Sequence, residues 1–232
     1  MILNGLQKLT LLDFPGKVAC TLFFSGCNFR CPFCHNASLV LAPKQAEQIP
    51  EETVLAFLKK RRGVLDGVCV TGGEPLLQPE LATLIEKIRS LGYAVKLDTN
   101  GYFPQRLREL VEAGLLDYVA MDIKNCPEKY PQTVGVSAID LSPILESVAY
   151  LRSCGIPHEF RTTVVRGLHT AQGMEEIADW LEGEELYFLQ GFVDSGDILQ
   201  PGCTAYTPTE MRELLTVVQN KVPKAKLRGI AT

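Results

Sequence analysis

Short runs of β-branched and apolar residues alternate along the chain with stretches in which apolar positions recur at helical spacing. The runs predict strands at Val18–Ser25, Gly67–Thr71, Ala94–Asp98, Tyr118–Ile123, Glu159–Val165 and Leu186–Phe192. Between them, helices are predicted at about Glu51–Arg62, Pro79–Leu91, Pro104–Ala113, Ser142–Cys154, Gly173–Leu181 and Thr209–Val222. Local signals agree. Pro79-Glu80 opens a pattern with Leu81, Leu84, Ile85 and Ile88 on one face. Gly92 and Gly114 follow helical stretches, where glycine tolerates the left-handed conformation of a helix stop. Ser142-Pro143 reads as a cap followed by a first-turn proline.

Strands alternating with helices imply βαβ units and a parallel sheet buried on both faces, which explains why the strand segments are almost continuously apolar. Six strands are two short of a closed eight-fold barrel, so the pattern leaves a partial barrel or a doubly wound sheet. In either, ligands bind at the carboxyl ends of the strands. The chain contains no low-complexity segment, linker or shift in composition, so residues 1–232 read as one domain.

Composition narrows the class. With 232 residues, 46% hydrophobic and 22% charged, the chain can bury a sizeable core, and neither disorder nor a fibrous architecture fits. A net charge of -4 argues against nucleic acid as partner; the run Lys59-Lys60-Arg61-Arg62 reads as the polar end of a helix. No apolar run reaches membrane-spanning length, and the N-terminus lacks the pattern of a secretory signal. A cytoplasmic location is therefore expected, without a membrane partner. In a reducing cytosol the 8 cysteines point to metal or cluster binding before disulfides.

Three of those cysteines stand in one short loop at the end of the first predicted strand: Gly26-Cys27-Asn28-Phe29-Arg30-Cys31-Pro32-Phe33-Cys34-His35-Asn36. A structural zinc site closes on four ligands, and electron-transfer clusters take four thiolates. Three thiolates leave one metal position open for substrate or cofactor. The competing reading is a zinc knuckle completed by His35 or a distant cysteine, although His35 adjoins Cys34 without the usual spacer. The spacing of Cys27, Cys31, Phe33 and Cys34 resembles the signature of the radical S-adenosylmethionine superfamily. That resemblance implies one [4Fe–4S] cluster on Cys27, Cys31 and Cys34, whose remaining iron is chelated by S-adenosylmethionine. It also implies reductive cleavage to a 5′-deoxyadenosyl radical, with Phe33 beside the adenine, and a partial (β/α)6 TIM-like barrel.

One βα unit further on comes Thr71-Gly72-Gly73-Glu74-Pro75. Two glycines allow close approach to the backbone, and Glu74 offers an acceptor beside it. By itself such a pair is an ordinary turn; here it resembles the family's GGE motif for the cofactor's amino group. The next strands end in Lys96-Leu97-Asp98-Thr99-Asn100-Gly101 and Met121-Asp122-Ile123-Lys124. A buried aspartate is costly unless paired or liganded, so Asp98 and Asp122 are site candidates, with an Asx turn at residues 98–101 as the plain alternative.

DTNG, D-aliphatic-K, Cys34-His35-Asn36 and Val134-Gly135-Val136-Ser137 resemble the activating enzymes of glycyl radical enzymes. By that resemblance Asp98, Thr99 and Asp122 help hold a monovalent cation, and Lys124 and His35 belong to the cofactor site. Arg161 on the fifth predicted strand suits a carboxylate, since a guanidinium grips one bidentately; its plain alternative is a surface salt bridge. Formate-lyase activators carry a histidine on the sixth strand, where this chain has Leu189-Gln190-Gly191-Phe192, and Gln190 takes the hydrogen-bonding position.

Cys20 and Cys69 fall inside strands and read as small buried hydrophobes. Cys154 sits at a helix end, Cys126 follows the Asp122/Lys124 strand at the active-site edge of the sheet, and Cys203 lies in the Pro201-Gly202-Cys203 loop, which leaves the last two open as active-site neighbours. The opening Leu6-Gln7-Lys8 and Leu12-Asp13-Phe14-Pro15-Gly16-Lys17, the loop CNFRCPFCHN and the closing Leu227-Arg228-Gly229-Ile230 are most similar to the activating proteins of anaerobic ribonucleoside-triphosphate reductase. This likeness implies a glycine loop of a partner enzyme as substrate and a flavodoxin- or ferredoxin-type electron donor. Alternatives are a small-molecule enzyme such as 7-carboxy-7-deazaguanine synthase, an activase of the formate-lyase type, and a non-catalytic cluster protein.

Overall fold

The computed structural model describes residues 3–41, 48–184 and 186–230. In chain order the elements are β1 Leu3–Thr10, β2 Ala19–Phe24, α1 Ala37–Leu41, α2 Glu51–Lys60, β3 Gly67–Gly72, α3 Leu81–Ser90, β4 Ala94–Thr99, α4 Pro104–Glu112, β5 Tyr118–Asp122, α5 Tyr130–Val134, α6 Ser142–Cys154, β6 His158–Val164, α7 Ala171–Trp180, β7 Tyr187–Gly191, α8 Pro208–Gln219 and β8 Lys226–Arg228. Every predicted strand and helix is present, shifted at its ends by a few residues. Elements β1, β8, α1 and α5 are additional. β1 has Gln7 and Lys8 exposed and Gly5 in its middle, so it lacks the apolar continuity that marks a buried strand. β8 and the two short helices are too brief for a periodic pattern to register.

Cα packing divides the chain into two compact units. The first comprises Met1–Asn28, Ser38–Ala120 and Pro143–Pro157. Its strands lie in the order β1-β2-β3-β4, with β1 antiparallel to β2 and the rest parallel. Leu22, Phe24, Val68, Val70, Val95 and Leu97 are fully buried between the sheet and the apolar faces of the helices. Those faces are Val54 and Leu58 on α2, Leu81, Leu84, Ile85 and Ile88 on α3, and Leu107 and Leu110 on α4. At roughly 25 cal/mol per Å² of apolar surface, such burial is the main stabilising force of a unit of this kind. Gly92 and Gly114 adopt positive φ of 93° and 66°, as expected of helix stops, and Lys59 and Lys60 occupy the last turn of α2.

The second unit comprises Phe29–Ala37, Met121–Ser142 and His158–Thr232. Here β6, β7 and β8 are adjacent and parallel. Arg228 on β8 forms a bidentate pair with the buried Glu159 of β6, at 2.7 and 3.0 Å, and lies over the Phe188 ring. Tyr187 donates to Thr162 Oγ1, which donates to the Ile123 carbonyl, each at 2.7 Å. α8 begins in a capping box: the Thr207 hydroxyl accepts from the Glu210 N–H, and the Glu210 carboxylate accepts from the Thr207 N–H. α7 starts at Ala171 rather than Gly173, because the Thr170 side chain caps it by accepting from the Gly173 N–H. Among the described residues no helix is long and apolar enough to cross a membrane.

Candidate active site

Chemistry-bearing residues cluster where strands end. In the first unit, β2 and β3 run in register so that Phe24 pairs with Gly72. The chain leaving β2 then stays against the start of the next turn: Gly73 N–H donates to the Phe24 carbonyl and Glu74 N–H to the Gly26 carbonyl, both at 2.8 Å. This explains the glycine pair. A Cβ on Gly72 would stand 2.2 Å from the Phe24 carbonyl oxygen, and one on Gly73 would stand 2.0 Å from that of Gly26. The close approach that the sequence implies is made by the chain's own backbone, and it brings Cys27 beside Gly73.

Glu74 is fully buried. Its Oε1 accepts from the Leu76 N–H at 3.0 Å and the Thr99 hydroxyl at 2.9 Å; its Oε2 accepts from the Asn100 N–H at 2.7 Å. A buried carboxylate keeps its charge only with such partners. Two sequence candidates, Glu74 and Thr99, are thus in direct contact, and they join the ends of β3 and β4. Asp98, the next residue back, pairs with the buried ammonium of Lys96. The Asx turn expected at residues 98–101 does not start from Asp98: Thr99 Oγ1 accepts from the Gly101 N–H at 3.1 Å, and Asn100 Oδ1 from the Tyr102 N–H at 3.0 Å.

In the second unit Asp122 links two cations. Its Oδ2 accepts from Lys124 Nζ at 2.9 Å and its Oδ1 from Arg161 Nε at 3.0 Å. Ile123 N–H donates to the Arg161 carbonyl at 2.8 Å, which aligns the two strand ends. The Arg161 side chain is only 12% exposed, so its partner is not that of a surface salt bridge. Burial would raise the Asp122 carboxyl, but the charges of Arg161 and Lys124 and their hydrogen bonds prevail and hold it at about 2. Lys124 is likewise opposed by burial, yet Asp122 and the Cys31 sulfur keep its ammonium protonated well above the usual lysine range.

Cys27 belongs to the first unit, and Cys31 and Cys34 to the second. All eight cysteines are thiols, with no disulfide. Among the described residues no three His, Cys, Asp or Glu side chains stand close enough together to hold a metal ion. The fit to a cluster therefore rests on donor chemistry: three thiols in residues 27–34, and a buried amide nitrogen, Asn28 Nδ2, that has no hydrogen-bond partner. Phe33 is buried edge-on against His169, with ring centroids 6.3 Å apart. His35 is exposed and stacked on Phe192. Gln190, half-buried on β7, pairs in register with Thr163 and Arg228. Cys20 and Cys69 are fully buried inside strands as expected, and burial pushes the Cys20 thiol up to about 12.

Three residues that sequence reasoning passed over bear on these clusters. Asn100 is the one that grips Glu74 Oε2 through its backbone. His169, fully buried, accepts at Nδ1 from the Val165 N–H at 3.0 Å. Its Nε2 therefore carries the proton and donates to the Lys124 carbonyl at 2.8 Å. Burial lowers its pKa and keeps it neutral. Tyr130, also fully buried, accepts from the Lys124 N–H at 3.2 Å. The backbone of Lys124 is thereby held on both sides. A lone histidine in a loop after a strand gave no periodic or motif signal.

The family model of the radical SAM superfamily matches residues 21–181, and the chain belongs to that superfamily. Its α/β fold, a partial TIM-like barrel, is that of solved members. SuiB of Streptococcus suis bound to its precursor peptide SuiA superposes with a TM-score of 0.72 at 13% identity, covering 89% of this chain and 48% of that one. The same protein bound to S-adenosylmethionine gives 0.69. The chain thus spans about half the length of that solved protein. The cofactors of the superfamily, a [4Fe–4S] cluster and S-adenosylmethionine, are those of this chain. A Methanocaldococcus jannaschii protein provisionally named as a glycyl-radical enzyme activating enzyme is 29% identical over 99% of this chain and 96% of its own length. The 7-carboxy-7-deazaguanine synthase of Methanopyrus kandleri is 33% identical over 48% of this chain and 51% of its own.

Proposed function

We propose that this radical SAM enzyme activates a glycyl radical enzyme, of which anaerobic ribonucleoside-triphosphate reductase is the best candidate. One observation carries the reading: the similarity to the Methanocaldococcus jannaschii protein runs end to end in both chains, whereas that to two deazaguanine synthases covers 48% and 69% of this chain.

Cluster and cofactor, when bound, supply one-electron cleavage of the sulfonium and a carbon radical able to take a hydrogen atom from a glycine Cα. The chain's own residues bind and orient. Cys27, Cys31 and Cys34 hold the cluster. Gly72, Gly73 and Glu74 receive the cofactor's amino end, and Arg161 and Lys124, both held by Asp122, offer fixed positive charge to its carboxylate. Asp98, Thr99 and Asp122 have the oxygen chemistry for a monovalent cation. Phe33, His35 and Gln190 border the nucleoside. The electron comes from a flavodoxin- or ferredoxin-type protein.

The test is anaerobic incubation of the reconstituted chain with the reductase, S-adenosylmethionine and a reductant. A glycyl radical signal by electron paramagnetic resonance, with stoichiometric 5′-deoxyadenosine, is the expected result. Cofactor cleavage with no radical on the reductase or on a formate lyase would turn the reading toward a small-molecule substrate.

A further inference from the structure

The turn after β4 aims an amide at the first cysteine of the loop. Asn100 is 4% exposed, and its Nδ2 lies 3.8 Å from Cys27 Sγ, within reach for a hydrogen bond to sulfur, and 2.8 Å from Asn28 Oδ1. Its orientation is determined by its neighbours. Tyr102 N–H donates to Asn100 Oδ1, so the NH2 group must face the other way, toward the sulfur. Asn100 N–H is gripped by Glu74 Oε2, which fixes the backbone from which the amide projects. Beside it, Asn28 accepts from Asn100 through Oδ1, and Asn28 Nδ2 is buried with no hydrogen-bond partner. The Asn28 atom that faces the Cys27 sulfur is its Oδ1, at 3.9 Å, which leaves Asn100 Nδ2 as the amide donor directed at that sulfur. All of these groups lie in the first unit.

The geometry points to Asn100 as an N–H···S donor to the Cys27 thiolate that raises the reduction potential of the cluster, with Asn28 Oδ1 helping to orient the amide. This rests on the reading of Cys27 as a cluster ligand and extends it to a residue outside the cysteine motif. Donors to a ligating sulfur offset its negative charge. The reduced cluster carries one more negative charge and gains most from them, so they raise the potential. Such tuning governs how readily a low-potential donor can load the electron. Asn100 does not touch the reacting bond; it acts through the sulfur.

The experiment uses the full chain, anaerobically reconstituted, as wild type, Asn100→Ala and Asn100→Asp. Redox titration followed by electron paramagnetic resonance is expected to give a lower midpoint in both variants. For Asn100→Ala the shift is about a tenfold change in the reduced-to-oxidised ratio at fixed potential, or ~59 mV for one electron. The iron–sulfur stretching bands of the wild type should shift in D2O, because an exchangeable amide proton is hydrogen-bonded to the sulfur, and part of that shift should vanish in Asn100→Ala. If the alanine variant does not fold, the aspartate variant, which keeps the acceptor for Tyr102, and the wild-type D2O shift decide. A full cluster with an unchanged midpoint and unchanged isotope shift would overturn the inference alone. A cluster that forms as well in Cys27→Ala as in the wild type would instead overturn the reading of Cys27 as a ligand, and the inference with it.

Discussion

Gly135 packs directly beneath the carbonyl of Arg30: a Cβ on it would stand 2.4 Å from that oxygen. Gly135 has φ of +66°, and Arg30 N–H donates to the carbonyl of the preceding residue, Val134, at 2.7 Å. The stretch between the cysteines is therefore fastened to the end of α5 by one hydrogen bond and one close approach that only glycine permits.

Gly135→Ala introduces a left-handed non-glycine residue, at about 1–2 kcal/mol, and a backbone clash on top of it. The expected outcome is a chain with native far-ultraviolet dichroism, a lowered unfolding midpoint and iron retention well below the wild type. Iron and sulfide assays after reconstitution check it, and full iron content would refute it.

The cysteines separate into two groups. Replacing Cys27, Cys31 or Cys34 singly by alanine should bring bound iron close to background, because a three-thiolate site has no spare protein ligand. Cys203→Ala, at a half-buried loop position, should leave iron content unchanged. Absorbance near 400 nm and iron analysis discriminate them; equal loss in all four would place the cluster elsewhere.

Asp122→Asn leaves Lys124 and Arg161 facing each other without their shared anion. Because the Asp122 carboxyl is held at about 2, below its ordinary 3.8, its contribution is present above pH ~4 and is lost as pH falls through about 2. A shift of this size corresponds to about 2 kcal/mol. Urea unfolding of the wild type should weaken across that window, and the variant should be less stable at neutral pH, with a flatter acid limb. Identical acid limbs would remove Asp122 from this role.

His169 has the same sign at higher pH. Its pKa is lowered by burial, so neutral imidazole is favoured in the fold and stability declines as pH drops below ~6.5, the value of an unfolded histidine. His169→Gln should abolish that step while keeping a donor for the Lys124 carbonyl. Unfolding midpoints measured from pH 8 to pH 5 test this; a wild-type curve without a decline below 6.5 would contradict it.

Much of the fold was legible because buried parallel strands and amphipathic helices carry strong periodic signals. β2, β3 and β4 read as apolar runs, and α3 as leucines and isoleucines on one face. β1 was not legible, since an antiparallel strand with exposed Gln7 and Lys8 lacks that continuity. The cysteine spacing, GGEP, DTNG and D-aliphatic-K were equally plain, as each is a short contiguous string. Arg161 stood out less, and its pairing with Asp122 came only from the structure.

By itself, the sequence determined the strand–helix alternation, the thiol-rich loop and the membership that its motifs imply, because these depend on residues adjacent in the chain or one helical turn apart. Tertiary structure alone decided that the two glycines accommodate the backbone leaving β2, that Glu74 is gripped by Thr99 and Asn100, and that His169 reaches Lys124 across 45 positions. Those relations join residues far apart in sequence, and only hydrogen bonding in a dehydrated interior, where a polar group must find a partner, selects them.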